Sequence, residues 1–199
     1  MSTYKLHYFN ARGRGEISRL ILAAAGQKYE DIRFEREQWP SIKSRTPLGQ
    51  VPVLEVNGVQ LPQSMTIARF LAKQFQLAGK NNFEQAQVDA IIDTINDIVN
   101  AFIPVRGNVE QTKKFLSEEL PKHLRNLEVL YKLYGNGGKF FVGGNLTWAD
   151  LLFYDLGQTI LGLDANSLDK NPWLKQNRAE VEKQPNIAAY LKKRPQTDF

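Results

Sequence analysis

Apolar positions along the first 76 residues switch between two spacings, and from about residue 83 they keep to one. Residues 4–9 (YKLHYF) form a short, β-favouring run rich in aromatics. Residues 16–25 follow with Ile17, Leu20, Ile21 and Ala24 on one helical face, and Gly26 supplies a stop. Residues 28–34 predict a second strand. After a loop punctuated by Pro and Gly, residues 53–56 and 59–61 flank Asn57-Gly58, the strongest short hairpin signal because both positions tolerate positive φ. Residues 64–75 (SMTIARFLAKQF) then predict an amphipathic helix. The order β-α-β, a loop element, β-β-α closes only as a small mixed sheet backed by helices.

Residues 77–82 (LAGKNN) read as a polar connector, and helix spacing dominates after it. Val88, Ile91, Ile92, Ile95, Val99 and Phe102 recur at the 3.6-residue period. A second helix is expected over 113–134, ended by Gly135-Asn136-Gly137-Gly138, and a third from Thr147. Two shorter ones follow Pro172 and Pro185, near helix starts where proline is tolerated. The expected architecture is α/β plus all-α: a domain over 1–78 built on a mixed four-stranded sheet, then a helical bundle over 84–199.

Composition narrows the chemistry more than the fold. Of 199 residues, 42% are hydrophobic and 24% charged, which excludes a disordered chain. No apolar run of about 18 residues exists to span a membrane. The opening residues lack a basic stretch followed by an apolar core, so the expected location is cytoplasmic rather than secreted. Cysteine is absent, which removes disulfides, thiolate metal sites and a cysteine nucleophile together. Any thiol chemistry must therefore use a sulfur carried by a ligand. The net charge of +5 has its clearest cluster at Lys192, Lys193 and Arg194. That density reads as a solvated surface rather than a nucleic-acid face, and favours a small anionic ligand at most.

Several positions could carry chemistry. Tyr8 ends the first strand beside Asn10-Ala11-Arg12-Gly13-Arg14-Gly15, either as a packing tyrosine or as a hydroxyl at a site mouth. The loop's G-x-G-x-x-S lacks the third glycine of a dinucleotide fingerprint and has no suitable acid about 20 positions on. In Gln50-Val51-Pro52-Val53-Leu54, a trans proline would merely start a strand. A cis bond would instead turn the Val51 N–H and C=O outward to pair with an extended peptide. Ser64, after Gln63, reads as an N-cap, at a helix end suited to a ligand carboxylate. Asp89, Asp93, Asn96, Asp97 and Asn100 form a polar stripe on the helix that buries Ile91, Ile92 and Ile95. Thr147-Trp148-Ala149-Asp150 reads as a structural capping box, with Leu146 and Leu151 suited to a hydrophobic staple. His7 and His123 have no metal-ligand spacing.

Tyr8, Arg14, Trp39-Pro40-x-x-Lys43, Pro47-Leu48-Gly49-Gln50-Val51-Pro52-Val53-Leu54 and Gln63-Ser64 occur in an order and spacing that resemble the cytosolic glutathione transferases. The finer resemblance is to the sigma class, which includes haematopoietic prostaglandin D synthase, helminth and insect enzymes and the lens S-crystallins. The ending Lys192-Lys193-Arg194-Pro195-Gln196-Thr197-Asp198-Phe199 is similar to that class as well, so the likeness runs over the whole chain.

The resemblance implies a thioredoxin-like first domain and glutathione as co-substrate, with no metal required. It implies that Tyr8 donates its O–H to the glutathione sulfur, with Arg14 as a nearby cation. Free thiols titrate near pKa 8.5, so only about 3% is thiolate at pH 7. Lowering that pKa by about 2 units requires roughly 2.7 kcal/mol of preferential stabilisation of the anion. A hydrogen bond to a charged acceptor contributes about 1.5–3 kcal/mol, so one hydroxyl and one cation suffice.

By the same resemblance, Trp39 and Lys43 hold the glycyl end, and Val51, within the Gly49-Gln50-Val51-Pro52 segment, pairs with the cysteinyl unit. Gln63 and Ser64 hold the γ-glutamyl carboxylate. Asp97 meets the γ-glutamyl amine bound in a partner subunit, so a homodimer is expected. Small hydrophobic electrophiles are the expected second substrates, in a detoxifying role, at a site lined by the loop from Tyr8 to Arg14, the helix around residues 99–105 and the C-terminal residues near Phe199. The alternatives are a glutathione-dependent isomerase or peroxidase, or a non-enzymatic crystallin-like or carrier protein. Prostaglandin D synthase has an acid where Asn96 stands, in a cluster that can hold a divalent cation, and a tryptophan in its acceptor cleft where this chain reads Phe102-Ile103-Pro104-Val105. Neither nucleic acid nor membrane is an expected partner.

Overall fold

The structure, a computed structural model, describes residues 2–197. The chain divides into two compact units. One gathers the residues up to Phe75 and again those from Gln184 onward, and the other is Gln76–Lys183.

The first unit is built on strands β1 (Tyr4–Phe9), β2 (Glu30–Phe34), β3 (Val53–Val56) and β4 (Val59–Pro62), in the order β2-β1-β3-β4. β1 runs parallel to β2 and antiparallel to β3, with Leu6 opposite Leu54, and β3 pairs antiparallel with β4. Helices α1 (Glu16–Ala24), α2 (Trp39–Ile42) and α3 (Ser64–Gln74) accompany the sheet. Alternation along β1 buries Tyr4, Leu6 and Tyr8 and leaves Lys5, His7 and Phe9 on the less covered face. Asn57 and Gly58 both take positive φ, 49° and 84°, as a two-residue hairpin turn requires. α1 stops where expected: Gly26 has φ 63° and the Gln27 N–H reaches back to the Leu22 carbonyl at 2.9 Å. β2 is two residues shorter at its start than residues 28–34 suggest.

The second unit is helical: α4 (Asn82–Phe102), α5 (Val109–Lys114), α6 (Leu120–Tyr134), α7 (Trp148–Leu163) and α8 (Pro172–Glu182). Asn81 caps α4 through Oδ1, which accepts the Phe83 and Glu84 N–H groups at 3.0 and 2.9 Å. α4 buries Val88, Ile91, Ile92, Ile95 and Ile98, while Val99 and Phe102 are only half-buried. The helix expected from residue 113 starts earlier, because Asn108 accepts the Gln111 N–H at 3.0 Å and caps α5. A π-helical turn over Phe115–Glu119 joins α5 to α6. α7 lies against α4 and α8, and its Trp148, Leu151, Phe153 and Ile160 are buried.

The capping box at the start of α7 forms as read. Asp150 Oδ2 accepts the Thr147 N–H and Oγ1–H, each at 2.8 Å. Its Oδ1 accepts the Phe141 N–H at 2.9 Å and Asn177 Nδ2 at 2.7 Å, so one carboxylate joins the helix start, the preceding loop and α8. Burial pushes its pKa up, against those donors.

The last helix, α9 (Pro185–Lys193), belongs to the first unit and packs on α1. Asn186 Nδ2 donates to the Ala24 carbonyl at 3.2 Å, at the C-terminal end of α1. Residues 184 onward thus group with the sheet, where a helical domain over 84–199 was expected.

Candidate active site

Tyr8 lies at the C-terminal end of β1, 9% exposed, where the chain leaves the sheet for a single 3-10 turn at Gly13–Gly15. The Arg14 backbone N–H donates to the Tyr8 hydroxyl at 2.9 Å. A phenol has one O–H and two lone pairs. With a lone pair occupied by Arg14, its proton is left for another acceptor. The turn can approach this closely because it is made of glycine. A methyl group on Gly13 (φ 39°) would lie 2.6 Å from Tyr8 Oη, and one on Gly15 would lie 2.6 Å from Cδ1. The two glycines of the loop thus serve the tyrosine and not a nucleotide.

Beside this turn is a cleft of about 300 Å³ lined by Phe9, Arg14, Trp39, Gly49, Gln50 and Val51. Five of the six were expected at the site, and they come from three separate stretches of sequence. Phe9 was not expected. It reaches the cleft because it alternates with Tyr8, and its ring meets Trp39 edge-on with centroids 5.6 Å apart. Phe34 stacks on Trp39 at 6.0 Å with planes 7° apart, so two phenylalanines fix the indole. Gly49 has φ 60°, and a methyl there would lie 3.3 Å from Lys43 Cε, so the lysine stem runs past this cleft-lining glycine. The Val51–Pro52 bond is cis, and Pro52 is buried just before β3.

At the start of α3 the structure corrects one expectation. The N-cap is Gln63, and Ser64 is the first helical residue, so its hydroxyl does not cap the helix. Gln63 holds φ 76° and ψ 111°, a conformation that costs about 1–3 kcal/mol in a non-glycine residue. No side chain caps α3.

Asp97 lies in the second unit, exposed on α4 with Asp93 and Asn100, as the polar stripe predicts. Among the described residues, no group of three or more His, Asp or Glu side chains is placed to hold a metal ion, and no helix is long and apolar enough to cross a membrane. His7 Nε2 is buried 3.9 Å from Glu55, and burial lowers its pKa, opposed by the Glu55 charge. Asp198 and Phe199, the end of the expected acceptor region, lie outside the described residues.

Known proteins resemble this chain over nearly its whole length. Residues 4–73 match the family model described as glutathione S-transferase, N-terminal domain, and residues 92–194 match the C-terminal domain model. The chain is 44% identical to hematopoietic prostaglandin D synthase of Gallus gallus, over 99% of both chains. It is 40% identical to glutathione S-transferase 1 of Ascaris suum, over 100% of both. Among solved structures, the rat prostaglandin D synthase complexed with a quinoline superposes with a TM-score of 0.90 at 41% identity, covering 99% of this chain and 100% of that one.

Proposed function

The chain belongs to the glutathione S-transferase family, and we propose that it conjugates glutathione to small hydrophobic electrophiles by using Tyr8 to hold the sulfur as a thiolate. That it is a glutathione-using enzyme follows from its family. The residue roles are our reading, and one observation carries them: Arg14 N–H fills a lone pair of the Tyr8 hydroxyl at 2.9 Å, beside a cleft lined by the family's motif residues. A phenol that accepts such a bond is polarised into a better donor. Its O–H then stabilises the thiolate more than the thiol, because a charged acceptor strengthens the bond.

The rest of the tripeptide is matched to the cleft as follows. Trp39 and Lys43 bind the glycyl end, the backbone of Val51 pairs with the cysteinyl unit within Gly49-Gln50-Val51-Pro52, and the start of α3 at Gln63 and Ser64 takes the γ-glutamyl carboxylate. The uncapped first turn of α3 supports that last role, since its N–H groups and partial positive charge suit an anion. Asp97 reaches the γ-glutamyl amine of a partner subunit in a homodimer, which its exposure on α4 permits. No step of this chemistry calls for a metal. The enzyme works in the cytoplasm, where glutathione keeps thiols reduced, and its role is detoxification.

The test is the rate of conjugation to chlorodinitrobenzene by the wild type and by Tyr8→Phe. A fall of at least tenfold, about 1.4 kcal/mol of barrier, supports the reading. Equal rates would sink it. Glutathione-dependent isomerisation of a prostaglandin endoperoxide is the second reading, favoured by the full-length likeness to the Gallus gallus synthase. Formation of prostaglandin D by the purified protein at a rate above its conjugation rate would put that reading first.

A further inference from the structure

The deepest charge cluster of the first unit lies behind Tyr8, on α1. Arg19 is fully buried, and every polar arm of its guanidinium is engaged. Nε donates to Asp31 Oδ1 at 3.0 Å, and Nη1 donates to the Ala11 carbonyl at 2.6 Å and to Glu16 Oε2 at 3.4 Å. Nη2 faces the Phe9 carbonyl at 3.4 Å, and the guanidinium carbon lies 5.7 Å from the centre of the Tyr8 ring. Arg19 therefore ties down the backbone on both sides of Asn10, directly after the tyrosine.

Glu16 holds Arg19 from the other side. Its carboxylate is 1% exposed, and Oε1 accepts Tyr190 Oη at 3.0 Å and Arg194 Nη1 at 2.6 Å. Asp31, Arg19, Glu16 and Arg194 thus alternate in sign from β2 to the C-terminal segment. Burial would discharge Arg19, but Asp31 and Glu16 outweigh it and hold its pKa above the ordinary value. Burial and the Glu16 charge together keep the Tyr190 phenol protonated as a donor.

Resting on the assignment of Tyr8 as thiol activator, we propose that Glu16 and Arg194 are positioning residues for catalysis. The C-terminal segment fastens Glu16, Glu16 fastens Arg19, and Arg19 sets the backbone that follows Tyr8 and lies against its ring. A rotation of the phenol by a few tenths of an ångström at Oη weakens the bond that the thiolate depends on, while the cleft that holds the peptide is left in place. The network therefore acts on the bound thiol's pKa and on kcat rather than on glutathione affinity.

The experiment measures the pKa of enzyme-bound glutathione, by thiolate absorbance against pH, with kcat and KM, in full-length protein. Arg194→Gln is expected to raise the bound thiol's pKa and lower kcat about fivefold or more, roughly 1 kcal/mol, with KM for glutathione within about twofold. Arg194→Lys, which restores the charge but not the fork, recovers part of the loss. Tyr190→Phe deletes one hydroxyl from the same carboxylate and shifts the pKa the same way by less, so it carries the test if Arg194→Gln does not fold. A lower melting temperature with unchanged thiol pKa and kcat in both variants overturns the proposal. Tyr8→Phe runs alongside. If it raises the thiol pKa and the tail variants do not, only the positioning role fails; if it leaves the thiol pKa unmoved, the assignment of Tyr8 fails, and the positioning role with it.

Discussion

Arg14 meets Tyr8 through its backbone, not its side chain: the N–H lies 2.9 Å from the phenol oxygen, while the guanidinium group is a separate source of charge. The two contributions can be separated by mutation. Arg14→Ala keeps the N–H and removes the cation, so kcat/KM should fall about three- to tenfold, up to ~1.4 kcal/mol, and the bound thiol should stay partly activated. Steady-state kinetics beside Tyr8→Phe check this. A loss as large as that of Tyr8→Phe would mean that the side chain does the work assigned to the hydroxyl.

Gly13 is the second lever on the same oxygen. Alanine there must hold φ near 39° and place its methyl 2.6 Å from Tyr8 Oη, so the turn or the phenol has to move. The backbone cost is about 1–2 kcal/mol, a few degrees of melting temperature in a chain of this size. Activity should drop at least tenfold, about 1.4 kcal/mol, well beyond the stability loss. Retention of full conjugation activity would show that the close approach of Gly13 is not needed.

Asp150 makes the opposite prediction, stability without chemistry. Its four accepted hydrogen bonds lie wholly within the second unit. Asp150→Ala strands those buried neutral donors at about 1–3 kcal/mol for each left unpaired, read as a lower urea midpoint. The folded fraction should bind glutathione as the wild type does. A midpoint within error of wild type would contradict the reading of this carboxylate as a structural joint.

His7 gives the fold a pH dependence of definite sign. Burial lowers its pKa below 6.5, with Glu55 and Glu30 opposing and Lys5 assisting. The unfolded chain then takes up the proton more readily, so stability is full above the unfolded value and declines as pH falls through it. Chemical denaturation from pH 7.5 down to 5 should show this slope, and His7→Gln should flatten it.

Asp97 is testable through mass and kinetics together. Light scattering should give about twice the 22.7 kDa of one chain. Asp97→Ala should raise KM for glutathione with kcat little changed, since a contact to the amine is the same before and during reaction. A monomer with an unaltered KM would remove Asp97 from the site.

The readable parts of this protein are those fixed within a few residues. Asn57-Gly58 declared its turn, Gly26 its helix stop and Thr147 to Asp150 its cap, because each needs only neighbouring atoms. The motif residues around Gly49, Gln50 and Val51 were legible through family likeness, and the structure brings them to one cleft with Arg14 and Trp39. What stayed hidden depends on distance through space. Pro185 marks the start of α9, but not that this helix packs on α1 and that Arg194 reaches Glu16. The role of Gly13 and Gly15 was hidden likewise, since only the folded position of the Tyr8 ring shows why no Cβ fits there. Asn108 was missed as a cap because the helix after it, Val109–Lys114, is too short and polar to show an apolar period, and the four-residue α2 is likewise too short for periodicity to register.

The bonds from Glu16 to Tyr190 and Arg194 span 174 and 178 residues. During synthesis the strands and α1 leave the ribosome first, yet two partners of this buried carboxylate follow only after the whole helical unit. The helical unit, interposed in chain order, is complete while Glu16 still waits. The half of the molecule that carries Tyr8 can therefore finish only after the helical unit has been made, and a nascent chain halted before Tyr190 leaves Glu16 with Arg19 but without the two partners that close over it from the far side.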